Sequence, residues 1–129
     1  MFLLKEVIFY HDKVIEKYGG SKGIRDYGAL DSALHRPWQT FDSSELYPTC
    51  FEKAAAITES IILNHPFIDG NKRTAFILCE ALLENSGFTI FSNTEIIYDF
   101  LIGISMGEYQ FEQMVIWLQK NSEIRTQIT

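Results

Sequence analysis

Leu3, Leu4, Val7, Ile8, His11, Val14, Ile15 and Tyr18 recur at the three- and four-residue spacings that return side chains to one face of an α-helix, and Gly19-Gly20 stops the run. His11 lies on that apolar stripe, where a hydrogen-bonded core histidine is expected rather than a catalytic one. After a Gly-containing loop from Ser21, Asp26 is placed to cap a short helix through Leu30, Ala33 and Leu34 that must end before Pro37. Trp38 to Pro48 keeps no period and mixes Trp38, Phe41, Leu46 and Tyr47 with polar residues. It reads either as a flap that docks a substrate or as a connection whose aromatics fill the edge of the core.

Thr49-x-x-Glu52 is a capping-box pattern, and Phe51, Ala54, Ala55, Thr58, Ile61 and Ile62 carry a stripe from it to Asn64. A fourth run goes from Asn71 through Ala75, Leu78, Cys79 and Leu82 to a stop at Gly87. These two helices should form a central hairpin. Phe88 to Phe91 is a short apolar link, after which Ser92-x-x-Glu95 repeats the capping box and Ile96, Ile97, Phe100, Leu101 and Ile104 run to Gly107. A last helix takes Phe111, Met114, Val115, Trp117 and Leu118, and residues 121–129 should fray. No segment holds the alternation of a half-buried strand. The expected fold is all-α, one domain over residues 1–129 with about six helices around the central pair.

A chain of 129 residues suits one domain of ordinary size. Its net charge of −6, from 11 basic and 17 acidic residues, argues against a sequence-independent nucleic-acid partner and makes adjacent Lys72 and Arg73 stand out. No apolar run approaches membrane length, and Met1-Phe2-Leu3-Leu4 meets Lys5-Glu6 at once, which fits neither a signal peptide nor a membrane span. The expected location is cytoplasmic, without direct nucleic-acid or membrane partners. Cys50 and Cys79 stand without CxxC spacing and without histidine nearby, so both read as buried free thiols.

The densest chemistry lies in His65-Pro66-Phe67-Ile68-Asp69-Gly70-Asn71-Lys72-Arg73-Thr74-Ala75-Phe76. Pro66 disfavours helical geometry at the residue before it, so His65 should end one helix and face a loop. With an ordinary pKa near ~6.5 an imidazole there can act as general base. Phe67 can anchor the loop to the core, Gly70 can let a ligand approach the backbone, and Asn71 can cap the next helix. Two cations in the first turn of a helix oppose its dipole by about 0.3–1 kcal/mol, so Lys72 and Arg73 suggest an anionic ligand on the unpaired N–H groups. Asp69 beside that anion is what a magnesium ion held mainly by substrate phosphates would need.

With these residues the chain resembles the Fic/Doc family, whose signature is His-x-Phe-x-(Asp/Glu)-(Gly/Ala)-Asn-(Gly/Lys). Asn71-Lys72-Arg73-Thr74-Ala75 is similar to the Doc toxin branch, whereas the Fic adenylyltransferase branch has Gly at position 72 and a second Arg at position 76. Tyr18-Gly19-Gly20, Ile24-Arg25-Asp26 and Arg36-Pro37 extend the resemblance over residues 7–120. It implies the all-α Fic/Doc-like domain, ATP as substrate and Mg2+ as cofactor. His65 would be the catalytic base, Asp69 the metal carboxylate, and Gly70, Asn71, Lys72 and Arg73 the phosphate site; Arg25 and Arg36 could reach a ligand or be paired surface residues.

By the same resemblance, Lys72 favours transfer of the terminal phosphate over AMP transfer. The implied target is a threonine of elongation factor Tu, and the implied partner is a small antitoxin whose tail folds on binding. A toxin-like binding module with weak catalysis is the alternative of a different class.

Overall fold

The computed structural model describes residues 1–125. Six helices form as the periodicity predicts: α1 Leu4–Tyr18, α2 Tyr27–His35, α3 Cys50–Asn64, α4 Asn71–Asn85, α5 Thr94–Ser105 and α6 Phe111–Lys120. The Asp26 side chain accepts from the Ala29 N–H and starts α2. Thr49 and Glu52 close the expected capping box on α3, with Thr49 Oγ1 accepting from the Glu52 N–H at 3.2 Å.

The expected central pair is α3 and α4, packed on each other, and α3 is its more deeply buried member. Ala54, Ala55, Ala56, Ile57, Thr58, Ser60, Ile61 and Ile62 of α3 are all buried, so its polar flank is lost as well as its apolar stripe. The alanine run lets neighbouring helices approach closely, and α2, α4, α5 and α6 all pack against α3. Buried Thr58 satisfies itself by donating to the Ala54 carbonyl at 2.7 Å. Helix α1 instead packs on α4. At the far end Phe100 stacks on Trp117 with ring centroids 3.8 Å apart, which fixes α5 on α6.

The sequence pattern missed three short features. The segment after α2 tightens into a 3-10 turn, Arg36–Trp38, with Pro37 inside it. Next come β1 Thr40–Phe41 and β2 Ser44–Glu45, an antiparallel hairpin whose two turn residues, Asp42 and Ser43, take φ of 51° and 67°. The hairpin is rooted on α3 near its start, where Lys53 pairs with Glu45 at 2.9 Å and donates to the Tyr47 carbonyl.

Phe88 to Ile90, expected as a link, is β3, and it pairs antiparallel with β4, Ser122–Ile124, out of the stretch expected to fray. Pairing of Phe88 with Ile124 and Thr89 with Glu123 was invisible because the partners lie on either side of α5 and α6. Residues 126–129 of the expected frayed tail lie outside the described residues. The second capping box also shifts: Asn93, not Ser92, caps α5 by accepting from the Ile96 N–H at 2.9 Å. The Ser92 hydroxyl is occupied in donating to Asn121 Oδ1.

Cys79 is fully buried, and that burial pushes its thiol pKa up to about 12; Cys50 is only partly buried, short of the expectation. No helix among the described residues is long and apolar enough to cross a membrane.

Candidate active site

The loop from His65 to Gly70 joins α3 to α4, and four separate stretches of chain hold its shape. His65 ends α3 in the left-handed region, at φ 45° and ψ 60°, which turns the chain sharply out of the helix and leaves the side chain exposed. The two carbonyls at this helix end are capped by one side chain: Arg25 Nε donates to the His65 carbonyl at 2.6 Å and Nη2 to that of Asn64 at 2.5 Å. Residues 23–26 then run alongside the loop. The Arg25 N–H donates to the Pro66 carbonyl at 2.7 Å, the Ile68 N–H donates to the Gly23 carbonyl at 3.1 Å, and Ile24 bridges to Phe67.

Phe67 is the buried anchor, as expected. Its ring stacks on His11 of α1 with centroids 3.9 Å apart and planes 8° from parallel. Its backbone is gripped by Asn71, whose Oδ1 accepts from the Phe67 N–H and whose Nδ2 donates to the Phe67 carbonyl, both at 3.0 Å. Asn71 is therefore not the helix cap; it is the first residue of α4, and Gly70 at φ 78° occupies the cap position. With both ends of its amide engaged and the residue buried, the Asn71 side chain shapes the loop. The expected phosphate contact from this residue is left to its main-chain N–H.

Asp69 is held at two points. Its carbonyl accepts from Nε2 of His11 at 2.7 Å, which fixes the Nε2-protonated tautomer if the ring is neutral. Oδ2 of its carboxylate accepts from the Ser21 N–H at 2.7 Å, so one side of the carboxylate is tied down. Two glycines make this fit possible. A Cβ on Gly20 would lie 3.0 Å from Cβ of Asp69, and one on Gly70 would lie 3.1 Å from Cδ1 of Ile15, both at positive φ.

His65, Asp69, Gly70, Asn71, Lys72 and Arg73 all line one open cleft of about 320 Å3, joined there by Ile68 and Tyr98. The first bond into α4 is from the Thr74 N–H to the Gly70 carbonyl at 3.1 Å, so the N–H groups of Asn71, Lys72 and Arg73 precede the ladder and the start of α4 presents donors and positive potential. The Arg73 guanidinium lies 3.7 Å from the Tyr18 ring centroid and 5.0 Å from that of Tyr98, held between two aromatic faces. Of the residues singled out in the sequence, six thus meet in one place, and Phe67 supports them from the core.

Arg25 and Arg36 take other work. Arg25 caps α3 as described. Arg36 faces the flank of α3, pairing with Glu59 at 2.8 Å and donating to Ser60 Oγ at 2.9 Å and the Tyr47 hydroxyl at 3.0 Å. Burial opposes its charge, but the hydrogen bonds to Tyr47 and Glu59 outweigh it and raise the guanidinium pKa. The flap candidate also lies apart: Lys53, at its root, is about 18 Å along the α3 axis from His65. Sequence reasoning missed His11, Ser21 and Tyr98 as members or supports of the site; only the lone polar His11 on an apolar stripe carried a signal.

The Fic/DOC family model matches residues 2–83, from the start of α1 to near the end of α4. Among curated proteins, one named Toxin Doc from Mycolicibacterium smegmatis is 38% identical over 79 residues, 61% of each chain. Another, named Protein kinase doc, from Escherichia phage P1, is 29% identical over 116 residues, 90% of each chain. The chain thus spans somewhat under two thirds of the first relative and nine-tenths of the second. With the match to both the loop and the helices that hold it, the chain belongs to the Fic/DOC family, on its Doc branch.

Proposed function

We propose that this chain is a Doc-like toxin, a phosphotransferase that moves the terminal phosphate of ATP to a hydroxyl of a protein, and that the acceptor is a threonine of elongation factor Tu. The observation that carries the proposal is the convergence of an exposed imidazole, a carboxylate, a helix N-terminus and two cations on one cleft. The relative named as a protein kinase supports phosphoryl transfer. Lys72 supports it too, because its side chain and charge occupy space that a glycine would leave for an α-phosphate.

In this reading His65 takes the proton of the acceptor hydroxyl, whose oxygen bonds to the γ-phosphorus as the bond to the β–γ bridging oxygen breaks and ADP leaves. The start of α4, Lys72 and Arg73 hold the phosphates and stabilise charge spread over the transferred group. Asp69, which lines the cleft with its Oδ2 held by the Ser21 N–H, would hold a magnesium ion bound mostly through phosphates, and such an ion would supply neutralisation of phosphate charge. The backbone-tied loop keeps these groups in register, which is what positioning catalysis needs.

A cytoplasmic site of action goes with this reading, as does control by a small antitoxin whose disordered tail folds into a groove here. The deciding experiment incubates the protein with a cell extract and ATP labelled at the γ- or the α-phosphate. Label from the γ position on one protein of the size of elongation factor Tu is expected. Label from the α position would instead identify AMP transfer, and no label with intact nucleotide binding would identify a binding module.

A further inference from the structure

Arg25 and Arg36 have their donors engaged by protein acceptors, the carbonyls of Asn64 and His65 for one and Glu59, Ser60 and Tyr47 for the other. Arg73 is held differently. Among the described residues its guanidinium makes no hydrogen bond and has no carboxylate within ion-pair distance. Its neighbours are two rings, with the centroid of Tyr18 at 3.7 Å and that of Tyr98 at 5.0 Å.

This manner of holding has a chemical consequence. A carboxylate that pinned the guanidinium would engage its N–H fork and cancel its charge. An aromatic face attracts the cation through the ring and leaves the N–H groups at the edge unengaged. The charge and the donors therefore stay available to an anion, while the long side chain is already ordered before that anion arrives. Arg73 stands in the first turn of α4, where the helix N–H groups favour an anion as well.

The rings come from elements far apart in sequence. Tyr18 is the last residue of α1, and Tyr98 lies one turn into α5. The chain just past Tyr18 also fixes the acidic side chain of the cleft. The Ser21 N–H holds Oδ2 of Asp69 at 2.7 Å, and Gly20 leaves the space beside Cβ of Asp69 that a side chain would fill. Residues 18–21 thus hold Arg73 and Asp69, one of each sign, at a set spacing.

We infer that Tyr18 and Tyr98 are positioning residues, an aromatic clamp that holds the Arg73 guanidinium at the cleft with its donors reserved for phosphate oxygens. The inference rests on the phosphotransferase reading for the identity of the anion, and the clamp acts on that anion through Arg73 alone.

Calorimetry with inorganic tripolyphosphate tests it on the native chain, Tyr18→Phe, Tyr18→Leu, Tyr98→Leu, Arg73→Ala and the double variant of Tyr18→Leu with Arg73→Ala, with urea unfolding of each beside it. Tyr18 is 51% exposed at the end of α1, so leucine there leaves the core intact even where the change at Tyr98 does not. Each leucine variant should weaken tripolyphosphate binding about threefold or more. Tyr18→Phe keeps the ring and should stay within about twofold of the native chain. In the Arg73→Ala background Tyr18→Leu should change nothing further, because no guanidinium is left to hold. A purely structural role would move the unfolding midpoint without this coupling.

Native affinity in Tyr18→Leu while Arg73→Ala is weakened overturns the clamp and leaves the anion site standing. An equal loss from Tyr18→Leu with and without Arg73 overturns it too, as does tripolyphosphate binding that ignores Arg73. No binding of tripolyphosphate to the native chain overturns the phosphate site together with the inference. Coupled binding in a chain that transfers no label sinks the phosphotransferase reading and leaves the clamp in place.

Discussion

Nε2 of His11 lies 2.7 Å from the carbonyl oxygen of Asp69, and the same imidazole stacks on Phe67, so one buried side chain on α1 fixes both the apolar anchor and the acidic residue of the loop. His11→Phe keeps a flat ring against Phe67 but leaves the Asp69 carbonyl without its donor. A loss of about 1–3 kcal/mol in urea unfolding is expected. Magnesium-dependent ATP affinity should fall with it, because the carboxylate that follows this carbonyl loses its register; unchanged affinity would show that the loop holds without His11.

His65 is exposed at the end of α3 and outside the apolar stripes, so it can be removed without disturbing the core. His65→Ala should abolish phosphate transfer and growth arrest while the unfolding midpoint and ATP affinity stay near those of the native chain. Full toxicity in this variant would remove His65 from its role as base.

Arg25 donates to the carbonyls of Asn64 and His65 and thereby holds the backbone from which His65 projects. Arg25→Gln should cost about 1–3 kcal/mol in stability, since charge-assisted bonds are lost from a helix end. Under the proposed phosphotransferase reading it should also lower kcat more than it raises KM, since displacing the proposed base affects the chemical step. A variant that changed KM alone would place Arg25 at the substrate instead.

The choice of transferred group should turn on residue 72. Lys72→Gly should lose transfer of γ-label, and the double variant Lys72→Gly with Phe76→Arg is the fair trial for AMP transfer, because it restores both features of the other branch. Mass spectrometry of the modified target separates the results, at about 80 Da for a phosphate and about 329 Da for AMP.

Glu80 gives a pH signature. Its pKa in the folded chain is raised by burial and by Glu84, so the folded state favours the protonated carboxyl. Its penalty is absent below the ordinary carboxylate range and grows as pH rises through the raised value. Glu80→Gln should therefore increase stability at pH 7, and the gain should vanish in denaturant titrations at pH 3–4. A gain that persists at low pH would point to altered packing rather than relief of charge.

Helix periods, the Asp26 cap, the Thr49–Glu52 box and the spacing from His65 to Arg73 are local, and the sequence by itself determined them: each depends on residues within a turn or two of one another. Six of the eight residues that line the cleft were singled out in the sequence for the same reason, since one short loop and one helix start carry those six. Tertiary structure decided what holds them. The contact of His11 with Asp69 spans 58 positions in sequence, and the bonds from Arg25 to Asn64 and His65 span about 40. No period or cap encodes such pairs. The same holds for β3 with β4, and for Tyr98 on the wall of the cleft, whose place was set by how α5 packs beside α4. Asn71 shows the boundary between the two kinds of information. Its position after Gly70 suggested a cap, but the turn at Gly70 brought its amide back onto Phe67, and burial there made both hydrogen bonds obligatory.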